Sequence, residues 1–219
     1  MNSLISVKEL FSRSLSLYMD KFWVLVKLLS IDVVAFLCVI PFGVGMVWSI
    51  SRYHNLLALV LFLLFCVAII IASIVVILVQ IGMMLAVKEH NLTIAEYLQR
   101  GWTILASFVW VSFLVGIVVA VGFVLFIIPG ILFSVWFSLT KYAMVFSGKK
   151  GWAAAQESKK LVQGYWWAVF GRFLLLGLVS MIISFIPMIG SLLNIFFMVP
   201  FTVIYVYFIY EDLKMIKGV

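Results

Sequence analysis

The stretch Gly101–Thr140, GWTILASFVWVSFLVGIVVAVGFVLFIIPGILFSVWFSLT, holds 40 residues and no Asp, Glu, Lys or Arg. As a single helix it would be about 60 Å long, twice the thickness of a bilayer's hydrocarbon core. It carries its own punctuation, Ile127-Ile128-Pro129-Gly130. Proline removes a backbone donor and glycine permits a reversal of the chain, so two back-to-back crossings joined at Pro129 and Gly130 are predicted.

The same pattern extends outward. Charge-free windows run Val33–Ser51, Tyr53–Val87 and Phe173–Tyr210, and the last is divided by Pro187-Met188-Ile189-Gly190. The predicted spans are Phe22–Ile40, Leu56–Val87, Gly101–Ile128, Ile131–Phe146, Trp166–Ile186 and Leu192–Tyr210. Pro41, Pro129, Gly130, Pro187 and Gly190 mark the hairpin turns, and an amphipathic stretch over 4–20 is read as an interfacial helix. The expected fold is an all-α, polytopic membrane bundle in one domain, residues 1–219, with six transmembrane helices arranged as three hairpins.

Composition agrees. The chain of 219 residues is 67% hydrophobic and 11% charged, with a mean hydropathy of +1.30. A compact soluble globule cannot bury that much apolar surface, which excludes a soluble enzyme, a disordered chain and a disulfide-stapled module. The net charge of +7 comes from residues that flank apolar runs rather than from a solvated basic face, so no nucleic-acid partner is expected. Cys38 and Cys66 lie inside apolar runs and read as packing residues. The N-terminal stretch Ser3–Lys21 lacks the cleavage pattern of a signal peptide.

Lys8, Arg13, Lys21, Lys88, Arg100, Lys149, Lys150, Lys159, Lys160, Lys214 and Lys217 flank one set of helix ends, and only Arg52 flanks the other. By the positive-inside rule both termini are expected in the cytoplasm.

A unit also repeats. Aligning Ser14, Gly101 and Ser158 places Trp23, Trp110 and Trp167 each nine residues later, with Pro41, Pro129 and Pro187 following 18, 19 and 20 residues beyond. The unit reads as interfacial helix, tryptophan anchor, span, turn and returning span, which predicts a threefold internal repeat.

From Phe126 to Arg172 the sequence resembles the membrane domain found with some bacterial glycerophosphodiester phosphodiesterases and its stand-alone six-span relatives. The likeness rests on Ile128-Pro129-Gly130-Ile131, on Ala154-Ala155-Gln156-Glu157-Ser158 with Leu161-Val162-Gln163-Gly164, and on the closing Tyr210-Glu211-Asp212-Leu213-Lys214. It implies a helical bundle of mostly unassigned function in a bacterial cell membrane. That family's hydrolytic activity belongs to a separate soluble barrel for which this chain has no room, so the activity is not carried over.

Four ionisable residues fall inside spans: Lys27, Asp32, Lys141 and Arg172. Such residues are costly in hydrocarbon and are by default functional candidates. Counted along their helices, Lys27, Lys141 and Arg172 can snorkel to the cytoplasmic headgroups, where together they form a candidate anionic-headgroup site. Asp32 lies mid-span and must be protonated, face water or meet a cation; Lys141 or Arg172 is the expected partner. Ser112, Gly116 and Ala120 form a small-residue ridge suited to close helix approach, Ser180 and Ser184 a weaker one, and Pro200 predicts a kink. His54 and His90 fall in opposite loops and make no metal site. Asn91-Leu92-Thr93 matches a glycosylation sequon on the cytoplasmic side, where it is discounted. There is no Walker loop, Gly-x-Ser-x-Gly elbow or His-Glu-x-x-His, so neither catalysis nor a cofactor is expected.

Two functions follow. One is a non-enzymatic scaffold, partner-binding or lipid-interacting bundle, its partners being membrane lipids with anionic headgroups, another membrane protein or a second copy. The other is a small transporter or channel that uses Asp32 and the basic cluster to pass an anion or lipid. A continuous polar cavity at Asp32 would favour the second; Asp32 sealed in a dry pair would exclude it.

Overall fold

The computed structural model describes residues 4–51, 55–89, 92–187 and 189–218. Arg52, His54, His90 and Asn91 lie outside the described residues, as does Met188.

Every regular element among the described residues is helical: α1 Val7–Ser51, α2 Asn55–Lys88, α3 Ile94–Leu125, α4 Ile127–Trp136, α5 Thr140–Ser147, α6 Trp152–Val162, α7 Trp166–Ser184, α8 Gly190–Leu193, a π-helical turn Asn194–Met198, and α9 Val199–Lys217. Six helical runs are long and apolar enough to cross a membrane: α1, α2, α3, Ile127–Ser147, α7 and Gly190–Lys217. The expected number of spans is present. Their ends differ from expectation in instructive ways.

α1 is continuous over 45 residues, so residues 4–20 do not form a separate interfacial helix and Pro41 lies inside a helix rather than at a turn. The sequence on both sides of Pro41 is apolar, and an open turn in hydrocarbon would strand several backbone polar groups. Keeping the helix forfeits only the donor that proline lacks. Gly43 faces Phe65, Gly45 faces Leu61 and Gly82 faces Leu28, which sets α2 antiparallel to α1 along its length.

α3 opens on a capping box. Thr93 Oγ1 accepts from the Glu96 amide at 3.4 Å, and Glu96 Oε2 accepts from the Thr93 amide at 2.6 Å. The helix then runs through the expected start of the span at Gly101 to Leu125. Its reversal is a single extended residue, Phe126, with φ −162° and ψ 157°. Pro129 and Gly130, expected at the turn, sit instead in the first turn of α4. Proline is tolerated there because first-turn amides have no helical acceptor. Gly130 serves close approach: a Cβ on it would lie 2.4 Å from the Phe123 ring.

The fourth span bends between Trp136 and Thr140. Ser158 accepts from the Leu139 amide at 3.1 Å and donates to the Trp136 carbonyl at 2.7 Å, satisfying groups that the bend frees. Pro187 lies in the expected turn between α7 and α8, whereas Gly190 is the first residue of α8; a Cβ on it would lie 2.4 Å from the Ile183 carbonyl oxygen. The kink expected at Pro200 appears as the π-helical turn before α9. The Phe196 carbonyl, which an α-helical residue 200 would have bonded, accepts from the Tyr18 hydroxyl at 3.2 Å.

The positions aligned by the expected repeat share a burial pattern. Ser14, Gly101 and Ser158 are all buried, as are Leu10, Tyr97 and Ala154 four residues before them, while Trp23, Trp110 and Trp167 are exposed. The first two units run unbroken into their spans; in the third, residues 163–165 separate α6 from α7. The core gathers around α9 and toward the lysine-rich helix ends. In the most apolar window of α2 only 6% is buried, against 44% for Gly190–Lys217, so the far half of the α1–α2 hairpin presents its apolar side chains outward.

Candidate functional site

A cavity of about 780 Å³ opens among α1, α2, α3, the fourth span, α7 and the chain around the π-helical turn. Its polar lining comes from separate elements, chiefly Asp32 on α1, Gln80 on α2, Ser112 on α3, Thr140 and Lys141 on α5, and Asn194. Met83, Val115, Phe173 and Val203 contribute apolar wall.

Asp32 does not pair as expected. Its Oδ1 is buried without a hydrogen-bond partner, and no Lys or Arg nitrogen among the described residues lies within 4.0 Å of its carboxylate. Lys141 Nζ sits 3.5 Å from Gln80 Oε1 and 5.3 Å from the centroid of the Phe108 ring. Ser112 Oγ and Thr140 Oγ1 are likewise buried and without partners. A buried polar group left unpaired is expensive, and a charged one more so. The cavity thus presents a carboxylate, an ammonium and free hydroxyls to whatever fills it, within a largely apolar wall. That is the chemistry of a site for a charged amphiphile or a string of water.

Two of the three residues of the expected small-residue ridge on α3, Ser112 and Gly116, line this cavity. A Cβ on Gly116 would meet nothing within 4 Å, and Ala120 is exposed. Small side chains here make space rather than fill it. Ser180 and Ser184 do join helices, through Asn194: Ser180 Oγ donates to Asn194 Oδ1 at 2.8 Å, and Asn194 Nδ2 donates to Ser184 Oγ at 2.8 Å.

Arg172 corrects the expectation of snorkelling. It is buried, with Nη1 3.7 Å from Asp212 Oδ2. Its Nη2 donates to the Ile5 carbonyl, and Asp212 Oδ2 accepts from the Ile5 amide at 2.9 Å. The pair therefore clamps the start of the chain against α7 and α9. Depth counted along α7 alone missed this, because the covering groups come from the two ends of the sequence. Lys27, by contrast, is exposed on the outside of α1. Lys27, Lys141 and Arg172 accordingly form no common headgroup site.

A second polar cluster ties α6, which lies outside the spans, to the end of α5 and to α9. Glu157 is paired with Lys149 at 2.8 Å and accepts from Ser147 at 2.9 Å and from Tyr210 at 3.3 Å. Burial pushes its carboxyl up, but the Lys149 hydrogen bond and charge, with the Ser147 and Tyr210 donors, outweigh that and hold it below the usual carboxylate range.

Gln80, Thr140, Asn194 and Asp212 were not singled out in the sequence. Only Asp212 carried a signal, as part of the closing Tyr210–Lys214 motif. No metal-holding group of three His, Cys, Asp or Glu side chains occurs among the described residues. Comparisons with protein-family models, with curated proteins and with solved structures find no match to this chain.

Proposed function

We propose that this membrane protein is a multi-pass, non-enzymatic transporter-like bundle that admits a charged amphiphile from the bilayer into its central cavity. The observation that carries the reading is the unpartnered Asp32 carboxylate, set in one cavity with Lys141. Intramembrane charges left open in this way mark solute or proton routes more often than packing. A side opening supports an amphiphile: Ser134, Ser138 and Phe173 line both this cavity and an apolar cleft of about 560 Å³ between α4 and α7. Of the two functions expected from the sequence, the cavity favours the transporter over the scaffold.

The lysine-rich helix ends support a cytoplasmic location for both termini in a cell membrane, and the likeness to the phosphodiesterase-associated membrane domain belongs to the same proposal. The test is lipid movement in vesicles that hold the full chain and a fluorescent phosphatidylglycerol, with an impermeant quencher added outside. Quenching beyond the outer-leaflet fraction is expected, and its loss in Asp32→Ala and Lys141→Ala. Quenching equal to that of protein-free vesicles would overturn the proposal.

A further inference from the structure

A second groove, of about 560 Å³, lies where α6 turns into α7. Trp136 and Leu132 of α4 form one wall, and Trp166, Trp167 and Phe170 of α7 form the other. Trp166 is held in place by its indole N–H, 3.4 Å from the Leu132 carbonyl, and by stacking on Phe170 at 5.0 Å. At the corner, Gly164 adopts φ +91°, a conformation open to glycine.

Cations ring the polar end of this apolar slot. Lys159 Nζ lies over the Trp136 ring, 4.6 Å from its centroid. Lys217 Nζ donates to the Gln163 carbonyl at 2.9 Å and lies 5.7 Å from the Tyr165 ring centroid. Lys160 and Lys217 also line the adjoining hollow that holds Lys149 and Glu157. The nearby carboxylates are already engaged: Glu157 with Lys149, Asp212 with Arg172, and Glu211 with the Tyr207 hydroxyl. Among the described residues Lys159, Lys160 and Lys217 have no acidic partner. Among the described residues the positive charge at this mouth is therefore uncompensated.

Apolar aromatic walls, a tryptophan-rich rim and unneutralised lysines at one end match an anionic phospholipid, with acyl chains along the rings and phosphate at the lysines. Phe170 lines both this groove and the α4–α7 cleft, which gives the acyl chain a continuous apolar track. We propose that the α4–α6–α7 corner is a binding site for one anionic phospholipid, its headgroup held by Lys159 and Lys217. The site shares no lining residue with the central cavity, so it stands or falls separately from the transport reading.

The test is native mass spectrometry of the full chain equilibrated with equal amounts of phosphatidylglycerol and phosphatidylcholine bearing identical acyl chains. The wild type is expected to retain one phosphatidylglycerol in preference. Lys159→Gln with Lys217→Gln should cut that preference about tenfold, while Lys8→Gln with Lys150→Gln, the same change of net charge elsewhere, should leave it intact. All four lysines are exposed, so both variants should fold; equal thermal melting checks this. No preference in the wild type, an unchanged preference in the first variant, or equal loss in the second would overturn the site. Displacement of the bound lipid by inorganic phosphate alone would overturn its assignment to a lipid.

Discussion

Arg172 and Asp32 both lie on strongly apolar helices, yet Arg172 is surrounded by the Asp212 carboxylate and the Ile5 carbonyl, whereas Asp32 leaves Oδ1 without a partner. The first arrangement supplies a countercharge: Asp212 faces the guanidinium and the amide and carbonyl of Ile5 are both bonded, leaving only Arg172 Nη1 without a hydrogen bond. The second is open, with Lys141 in the same cavity but not in contact. The Arg172 charge meets a countercharge within the protein, whereas the Asp32 carboxylate faces the cavity with none among the described residues. The difference distinguishes a charge that ties elements together from one that only lines a cavity.

The sharpest way to break this comparison is to remove Arg172. Arg172→Leu leaves a buried carboxylate unpaired and should lower unfolding stability in detergent by about 3–5 kcal/mol. Arg172→Leu with Asp212→Leu should recover much of that loss, since the uncompensated charge goes too. Recovery of nothing would mean that the Ile5 clamp, not charge balance, dominates. Asp32→Leu should behave oppositely, raising stability by about 1–3 kcal/mol because it deletes an unsatisfied buried group, while abolishing lipid movement. A loss of stability of similar size would place a hidden partner on Asp32. The smallest effect belongs to Glu157. Its carboxyl is depressed in the folded state, so its contribution is present above the usual carboxylate range, at neutral pH, and fades as pH falls through the folded value. Glu157→Gln should therefore lower stability at pH 7 and flatten the acid limb of the stability profile in thermal melts between pH 3 and 7.

The spans were legible because length and hydropathy report directly on crossing hydrocarbon. Their ends were less so. Pro41 reads as a turn by solution rules, but in an apolar setting an intact helix with one missing bond is the better solution. The reversal at Phe126 is placed by the packing of Gly122 and Gly130 against their neighbours across the hairpin, which local turn chemistry does not encode. Asp32 stood out as a lone mid-span carboxylate. The rest of its cavity did not, because Gln80, Thr140 and Asn194 are unremarkable within their own helices and converge only in three dimensions. Ser112 and Gly116 show a related ambiguity: small residues are equally suited to admitting a neighbouring helix and to leaving a void, and these two line the cavity. Arg172 misled because its partners come from opposite ends of the chain.

Water access at residue 32 tests the account most directly. With Cys38 and Cys66 replaced by Ala, Asp32→Cys in sealed vesicles should react with a small, charged, membrane-impermeant thiol reagent, and filling the cavity by Gly116→Leu should suppress the reaction. Absence of reaction at position 32, under conditions in which Lys150→Cys is fully modified, would contradict an open, polar cavity and leave Asp32 in a dry interior.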